Sequence, residues 1–383
     1  MAGTSNSEVS VGEPSIKTHR NGHVGVIELN RPKSINALDH EMALAMERTL
    51  REWETDDSVA TVVVRGAGDR GLCAGGDIVA IHRDAKELSA TGARGDRADR
   101  AAADSPSGRF WRDEYRLNHY ISRYPKPYVA LMDGIVMGGG VGISAHGNTR
   151  IVTDRTRLAM PEVGIGFVPD VGGTHLLARV PDQLGTYMAL TTAPANGADA
   201  VALGIADHYV PAESLDALVD ALATRPVGDV LAEFAVEPPA SSLHGDGEWI
   251  AEAFATDDVA EIIANCRAVG SEGATKTADK IESKSPLALR VALRSLREAA
   301  ATPSLAESLR REYRVSLRSL LHPDMAEGIR AQVIDKDRNP QWQPVADFTS
   351  ATIDDFFAQL PDDVELADAD RLDNPDPQEI SNV

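Results

Sequence analysis

The stretch DGIVMGGGVGISAHG, residues 133–147, follows the apolar run YVALM (128–132) and precedes another, RIVT (150–153). A strand that enters three consecutive glycines and gives way to a new strand so soon leaves no room for a long crossover helix. Gly140, Gly142 and Ala145 satisfy the G-x-G-x-x-A spacing of dinucleotide sites. That site also needs a crossover helix and an acid about 20 residues on at a strand end, so NAD binding is disfavoured. The same segment misses the nucleophile elbow, because His146 stands where a second glycine must relieve crowding, and Ser144 reads as a helix-packing residue. What remains is a glycine turn that exposes backbone N–H groups after a strand. Cys73–Ile78, CAGGDI, is a second one. Two such turns facing one point would hold a developing oxyanion, each N–H contributing about 3 kcal/mol in a dry site. Spacing alone leaves two turns without a ligand equally open.

Outward from these turns the chain alternates strand and helix. IKTHRNGHVGVIEL (16–29) reads as a hairpin around Asn21-Gly22. Leu38, Met42, Ala45, Met46, Leu50 and Trp53 recur at helical spacing behind Asp39, a capping acid. Val59–Arg65 is β-branched enough for a buried parallel strand. Residues 84–108 carry Ala, Gly, Arg and Asp without apolar periodicity and read as a surface loop or a partly mobile helix. A helix follows through FWRDEYRLNHYISRY, ended by Pro125 and Pro127. The order predicts an α/β fold with a parallel or mixed sheet covered by helices. Beyond residue 220 the strand signal disappears, and stripes such as Leu287, Val291, Leu293 and Leu296 predict helices to about residue 335. The expected organisation is a polar disordered tail over 1–14, an α/β core over 15–220, a helical region over 221–357 and an acidic disordered tail over 358–383.

The 383 residues are 43% hydrophobic and 25% charged, which fits a folded chain with a large core. Thirty-eight basic against 59 acidic residues give −21, a field that repels nucleic acid and anionic lipid, so neither is an expected partner. Cys73 and Cys266 are too few for a disulfide framework or a Cys-based zinc module and point to a reducing compartment. No leader, import helix or membrane-crossing run is visible, so the expected location is the cytoplasm.

Four motifs in chain order, NRPKSINALD (30–39), LCAGGDI (72–78), DGIVMGGGVGIS (133–144) and MPEVGIGFVPDVGG (160–173), resemble the crotonase, or enoyl-CoA hydratase/isomerase, superfamily. The resemblance implies a spiral of ββα turns, acyl-CoA thioester substrates, and an oxyanion hole that falls by motif on the amides of Gly76 and Gly139. It brings no cofactor, since coenzyme A arrives as part of the substrate. Residues 30–39, Ala37 among them, and the segment carrying Ala74, Gly76, Asp77 and Ile78 would hold the nucleotide and pantetheine. Arg31 and Lys33 are the candidate cations for its phosphates. Relatives form trimers and dimers of trimers, so a homo-oligomer, trimer or hexamer, is an expectation that the added helices put in question.

Acids decide the branch. Hydratases of this family place one Glu two residues after the GGG and a second after the Pro of the P-E motif, because adding water to a double bond takes paired carboxylates. Here the first position is Gly142, and only Glu162 remains. Asp170 stands in FVPDVGG where hydratases usually carry Gly, Glu114 occurs in FWRDEYRLN, and the extension contains EYRVSLR (312–318) and HPDMAEGIRAQVIDKDRNPQW (322–342). With these the chain resembles the 3-hydroxyisobutyryl-CoA hydrolase subfamily over residues 16–357. That implies hydrolysis of the (S)-3-hydroxyacyl thioester in valine breakdown. Glu162 would attack to form a mixed anhydride or act as general base on water. Asp170 would orient Glu162, the water or the substrate, or carry a proton to the thiolate, and Glu114 would accept the substrate's 3-hydroxyl. A hydratase or double-bond isomerase using Glu162 and Asp170, and an acyl-CoA-binding protein without chemistry, are the alternatives. The C-terminal motifs also admit a plain scaffold.

Overall fold

The computed structural model describes residues 13–245 and 247–366. Nine strands lie in two sheets: β1 (Ile16–Asn21), β2 (Val24–Leu29), β3 (Thr61–Gly66), β4 (Tyr128–Met132), β5 (Ile135–Met137), β6 (Thr149–Val152), β7 (Arg157–Ala159), β8 (Ala195–Asn196) and β9 (His208–Tyr209). The larger sheet runs β1-β2-β3-β4-β6-β9, antiparallel in the β1–β2 hairpin and parallel thereafter. The smaller runs β5-β7-β8 and is extended by bridges from Leu38 to Gly76 and from Cys73 to Val136. Successive turns of the chain thus place a strand in the large sheet, then a segment in the small one, then a helix. This is the expected α/β spiral. Val62, Val63 and Val64 are all buried, as they must be when helices cover both faces of a parallel strand.

Eight helices belong to this part: α1 (His40–Glu54), α2 (Ile78–Thr91), α3 (Asp96–Ala103), α4 (Pro106–Ser122), α5 (Gly139–Gly142), α6 (Gly173–Leu177), α7 (Leu184–Thr191) and α8 (Gly197–Ala202). Asp39 caps α1 by accepting the Met42 N–H at 2.9 Å, and Met42, Met46, Leu50 and Trp53 are buried below it. Residues 84–108, read from the sequence as a surface loop or a partly mobile helix, are mostly helical: the end of α2, all of α3 and the start of α4 occupy them. Ala98, Ala102 and Ala103 are buried in close helix contacts, and alanines leave no apolar stripe to read. The buried Asp84 carboxylate accepts the Ser107 N–H at 2.8 Å and its hydroxyl at 2.6 Å, fixing the start of α4.

Helices α9 (Leu215–Leu222), α10 (Val227–Phe234), α11 (Gly247–Ala253), α12 (Val259–Val269), α13 (Glu272–Glu282), α14 (Pro286–Ala301), α15 (Leu305–Leu321), α16 (Pro323–Ile329) and α17 (Ser350–Phe357) follow. They form no core of their own: α9 and α10 share an apolar cluster with Val24, Val63 and Ile151 of the large sheet, and the later helices share another that runs from Leu29, Leu38 and Trp111 to Leu293, Leu309 and Leu317. Helix α15 packs on α2, α3 and α4, and α16 on α2. The acidic tail expected from residue 358 does not begin there, because Leu360 and Leu366 are buried and Glu365 and Asp363 pair with Arg314 and Arg100 at 2.8 and 3.0 Å. Of the two expected tails, residues 1–12 and 367–383 lie outside the described residues. Among the described residues no helix is long and apolar enough to cross a membrane.

Candidate active site

The two glycine turns are held side by side by the small sheet. Residues 72–77 are clamped on one edge by Ala74 N–H to Ile35 O (2.9 Å) and Asp77 N–H to Leu38 O (2.9 Å), on the other by Cys73 N–H to Ile135 O (3.1 Å) and Met137 N–H to Cys73 O (3.0 Å). The turns touch so closely that a Cβ on Gly139 would sit 3.5 Å from the Gly76 nitrogen, and one on Gly140 would strike the Cys73 carbonyl at 2.5 Å. Among the described residues, neither the Gly76 nor the Gly139 N–H goes to a backbone carbonyl in the surrounding loops. Gly139 is the first residue of α5, where helix N–H groups have no partner within the helix. Two free donors therefore meet at one point.

That point opens into a cavity of about 130 Å³ walled by Ala74, Ile78, Phe110, Trp111, Phe167 and Met325, and three acids reach it: Glu114, Glu162 and Asp170. Glu114 comes from α4, and its Oε1 would lie 2.6 Å from a Cβ on Gly139. Glu162 opens the turn Glu162–Ile165, with Oε1 3.0 Å from the Cβ position of Gly138. Glu114 Oε1 and Glu162 Oε2 are buried without a hydrogen-bond partner among the described residues. Asp170 differs, because the Tyr115 phenol donates to its Oδ2 at 2.8 Å. Burial, and then the Asp170 charge, hold the Glu114 and Glu162 carboxyls well above the usual range. Burial pushes Asp170 up to about 7, with the Tyr115 hydrogen bond pulling it down. The neighbouring Asp113 is no part of this: burial raises it too, but His40 at 2.7 Å and Arg112 at 3.3 Å hold it below the usual range.

The loop after Asp170 is strained and strongly tied. Val171 has φ +54°, a left-handed conformation that a β-branched residue rarely adopts. Its carbonyl pairs with His146 Nε2 at 2.7 Å. The fully buried Glu312 of α15 takes the Gly172 N–H at 2.6 Å, the Thr174 N–H at 3.0 Å and the Thr174 hydroxyl. Burial pushes this carboxyl up to about 8 against those donors. Glu312 was not singled out from the sequence. Its signal was a carboxylate three residues after Leu309, inside the apolar stripe of α15. Gly142, the position of the missing hydratase acid, has no room for one: a Cβ there would meet Val171 Cβ at 2.7 Å and Asn118 Nδ2 at 2.9 Å.

The C-terminal helices also supply wall. Met325 lines the cavity, and the buried Asp324 before it accepts the Ser285 hydroxyl at 2.6 Å and the Gln343 N–H at 2.9 Å. Of the residues expected to hold coenzyme A, Ala74, Gly76 and Ile78 line the cavity and Arg31, Lys33, Ala37 and Asp77 do not. The Arg31 guanidinium is committed internally, donating to Ala37 O at 2.6 Å and lying 3.1 Å from Asp77 and 3.3 Å from Asp39. Lys33 stands exposed on the short turn Pro32–Ser34. Among the described residues no group of three or more His, Cys, Asp or Glu is placed to hold a metal ion.

A family model described as enoyl-CoA hydratase/isomerase matches residues 24–357. Among curated proteins, the chain is 40% identical over 352 residues to the mitochondrial 3-hydroxyisobutyryl-CoA hydrolase of Xenopus tropicalis, covering 88% of this chain and 87% of that one. With the protein of that name from Homo sapiens it shares 38% over 351 residues, 88% and 86% of the two chains. Among solved structures, a carnitinyl-CoA dehydratase from Mycobacterium thermoresistibile is 51% identical with a TM-score of 0.83, over 92% of this chain and 98% of that one. An enoyl-CoA hydratase from Rhodobacter sphaeroides 2.4.1 is 35% identical with a TM-score of 0.82, over 92% and 100%. The names divide between hydrolysis and hydration.

Proposed function

This chain belongs to the enoyl-CoA hydratase/isomerase family, and from that premise we propose that it hydrolyses (S)-3-hydroxyisobutyryl-CoA to 3-hydroxyisobutyrate and coenzyme A. The observation that carries this reading is the arrangement of acids. Val171 and Asn118 fill the space at Gly142, and Asp170 enters the cavity from the same loop. A hydratase built on the paired-Glu plan would lack its first carboxylate here.

In this reading the thioester oxygen sits between the Gly76 and Gly139 amides, which stabilise the oxyanion as the carbonyl carbon becomes tetrahedral. Glu162, beside Gly138, faces that carbon and acts on it directly as nucleophile or through a water molecule. Asp170, also in the cavity wall, handles the proton that the thiolate needs. Glu114, against Gly139, pairs with the substrate's 3-hydroxyl. The aromatic wall of Phe110, Trp111 and Phe167 excludes water from the acyl group. Coenzyme A enters with the substrate, and no further cofactor is proposed. The two buried free thiols fit a reducing compartment, and we assign the chain to the cytoplasm, whereas its vertebrate relatives are named mitochondrial.

The decisive experiment follows free thiol with a disulfide reagent on (S)-3-hydroxyisobutyryl-CoA while monitoring crotonyl-CoA at its enoyl absorbance. Thiol release without enoyl loss is expected. The names of the solved neighbours favour a second reading, hydration, and enoyl loss without thiol release would establish it instead. Tight acyl-CoA binding with neither change would leave a binding protein.

A further inference from the structure

Behind Asp170 lies a buried chain of hydroxyls that the proposed chemistry has not used. Tyr115 on α4 contacts Asp170 Oδ2 at 2.8 Å and Ser316 Oγ on α15 at 2.8 Å, and Ser316 Oγ reaches the Glu312 backbone carbonyl at 2.7 Å. Tyr115 and Ser316 are fully buried. Each hydroxyl carries one hydrogen. With Asp170 ionised there are two hydrogens for three links, so one link stays empty. With Asp170 protonated there are three, and every link is filled in one direction: Asp170 donates to Tyr115, Tyr115 to Ser316, and Ser316 to the carbonyl. In a buried site an unfilled link has no water to replace it.

We propose that Tyr115 and Ser316 are positioning residues that serve the two forms of Asp170 in turn, Tyr115 donating to the ionised form and Ser316 accepting from Tyr115 when Asp170 is protonated, so that Asp170 can hold the reaction's proton between its removal from water and its delivery to sulfur. This rests on the hydrolase reading given above. On the water route Glu162 takes a proton from water as the water oxygen bonds to the acyl carbon, and passes it to Asp170. The C–S bond breaks with its electron pair on sulfur, and the proton passes from Asp170 to that sulfur. The hydroxyls reverse direction at each transfer and themselves neither gain nor lose a proton. The ionisable groups facing Asp170 are Glu114 and Tyr115 from α4, Glu162 from its turn and Glu312 from α15; negative charge on any of the three glutamates favours protonated Asp170, while the neutral Tyr115 phenol acts through its hydrogen bond.

The chain predicts opposite effects for its two members. Ser316→Ala removes the acceptor that Tyr115 needs only when Asp170 is protonated, so Asp170 becomes the stronger acid, by about threefold in its ionisation constant. Tyr115→Phe removes the donor to the charged form, so Asp170 becomes weaker, by about tenfold. Both are read by ¹³C NMR titration of protein labelled at the aspartate carboxyl carbons, with the Asp170 signal assigned through Asp170→Asn, and by the acid limb of the kcat profile. Shifts of opposite sign with unchanged melting are expected. Shifts of the same sign, or none, overturn the proposal, and Ser316→Ala alone decides it if Tyr115→Phe does not fold. The titration needs no turnover. Opposite shifts in a protein that releases no thiol would therefore overturn the hydrolase reading and leave the chain standing, while turnover with unmoved titrations would overturn the chain alone.

Discussion

The α/β core and the helical C-terminal region meet at one cavity, the core lining it with polar groups and the helical region adding Met325 to its wall and tying loops behind it. The core brings groups that are unfinished: two free amides at Gly76 and Gly139, Glu114 Oε1 and Glu162 Oε2 without partners. The helical region brings groups that are finished, with Glu312 holding three donors on Gly172 and Thr174 and Asp324 holding Ser285 and Gln343. Buried polar atoms are normally paired, because an orphan forfeits its hydration for nothing. Among the acids at and behind the cavity, orphaned oxygens on Glu114 and Glu162 and saturated carboxyls on Glu312 and Asp324 therefore separate the groups that wait for substrate from those that hold the loops in place. Asp170 stands between the two classes, tied through Tyr115 yet open to the cavity.

The largest expected effect tests the unfinished side. Glu162→Gln and Asp170→Asn should each lower kcat by about a thousandfold or more, an activation cost of roughly 4 kcal/mol, while acyl-CoA binding is largely kept. Stability should hold or rise, since a buried carboxyl with a raised pKa disfavours the folded state at neutral pH. Wild-type turnover in either variant removes that residue from the chemistry. Glu312→Ala tests the finished side and should behave differently, losing about 3 kcal/mol of unfolding free energy and activity together, because two loop N–H groups lose their acceptor and Val171 loses its restraint. Denaturant titration beside steady-state kinetics checks it. A Glu312 variant with full stability and no activity would break the comparison by moving Glu312 to the catalytic side.

A pH titration of stability sharpens the same contrast. Asp170 at about 7 and Glu312 at about 8 keep protons in the folded chain that the unfolded chain releases near pH 4. The stability they contribute is complete below about pH 4 and lost as pH rises through 7 and 8. His146 and His175, both pushed down to about 4 by burial, act the other way between 4 and about 6.5. The window from pH 6.5 to 8 therefore isolates the carboxyls, and unfolding free energy should fall by about 2 kcal/mol across it. A flat or rising curve there would mean that these acids are ionised throughout.

What the sequence disclosed follows the same division. The glycine turns, Glu162 and Asp170 were legible because short local motifs carry them, and Glu114 was separated from Asp113 only once α4, starting at Pro106, fixed which residue turns inward. Helix α3 could not be told from a surface loop because buried alanines make no stripe. Glu312 acts on the Gly172 loop at a separation of 140 residues, Ser316 meets Tyr115 of α4 and Met325 lines the cavity, and no local pattern announces such contacts. Support from a distance is a property of packing.

The smallest expected effect concerns Arg31, where sequence and structure give different roles. A guanidinium that binds the phosphates of coenzyme A and one that braces Ala37, Asp39 and Asp77 make different demands on the substrate. If Arg31 holds phosphate, Arg31→Ala raises KM for the CoA thioester and leaves KM for the matching pantetheine thioester unchanged. If it is a brace, both rise together, because the segments 30–39 and 72–78 shift for either substrate. The structure favours the brace, with both acids within 3.3 Å of the guanidinium. Since these ion pairs are partly solvated, each contributes about 1 kcal/mol or less. The expected result is a rise of about threefold in both KM values and little change in kcat. A rise confined to the CoA thioester would return Arg31 to the substrate and show that its acidic partners release it on binding.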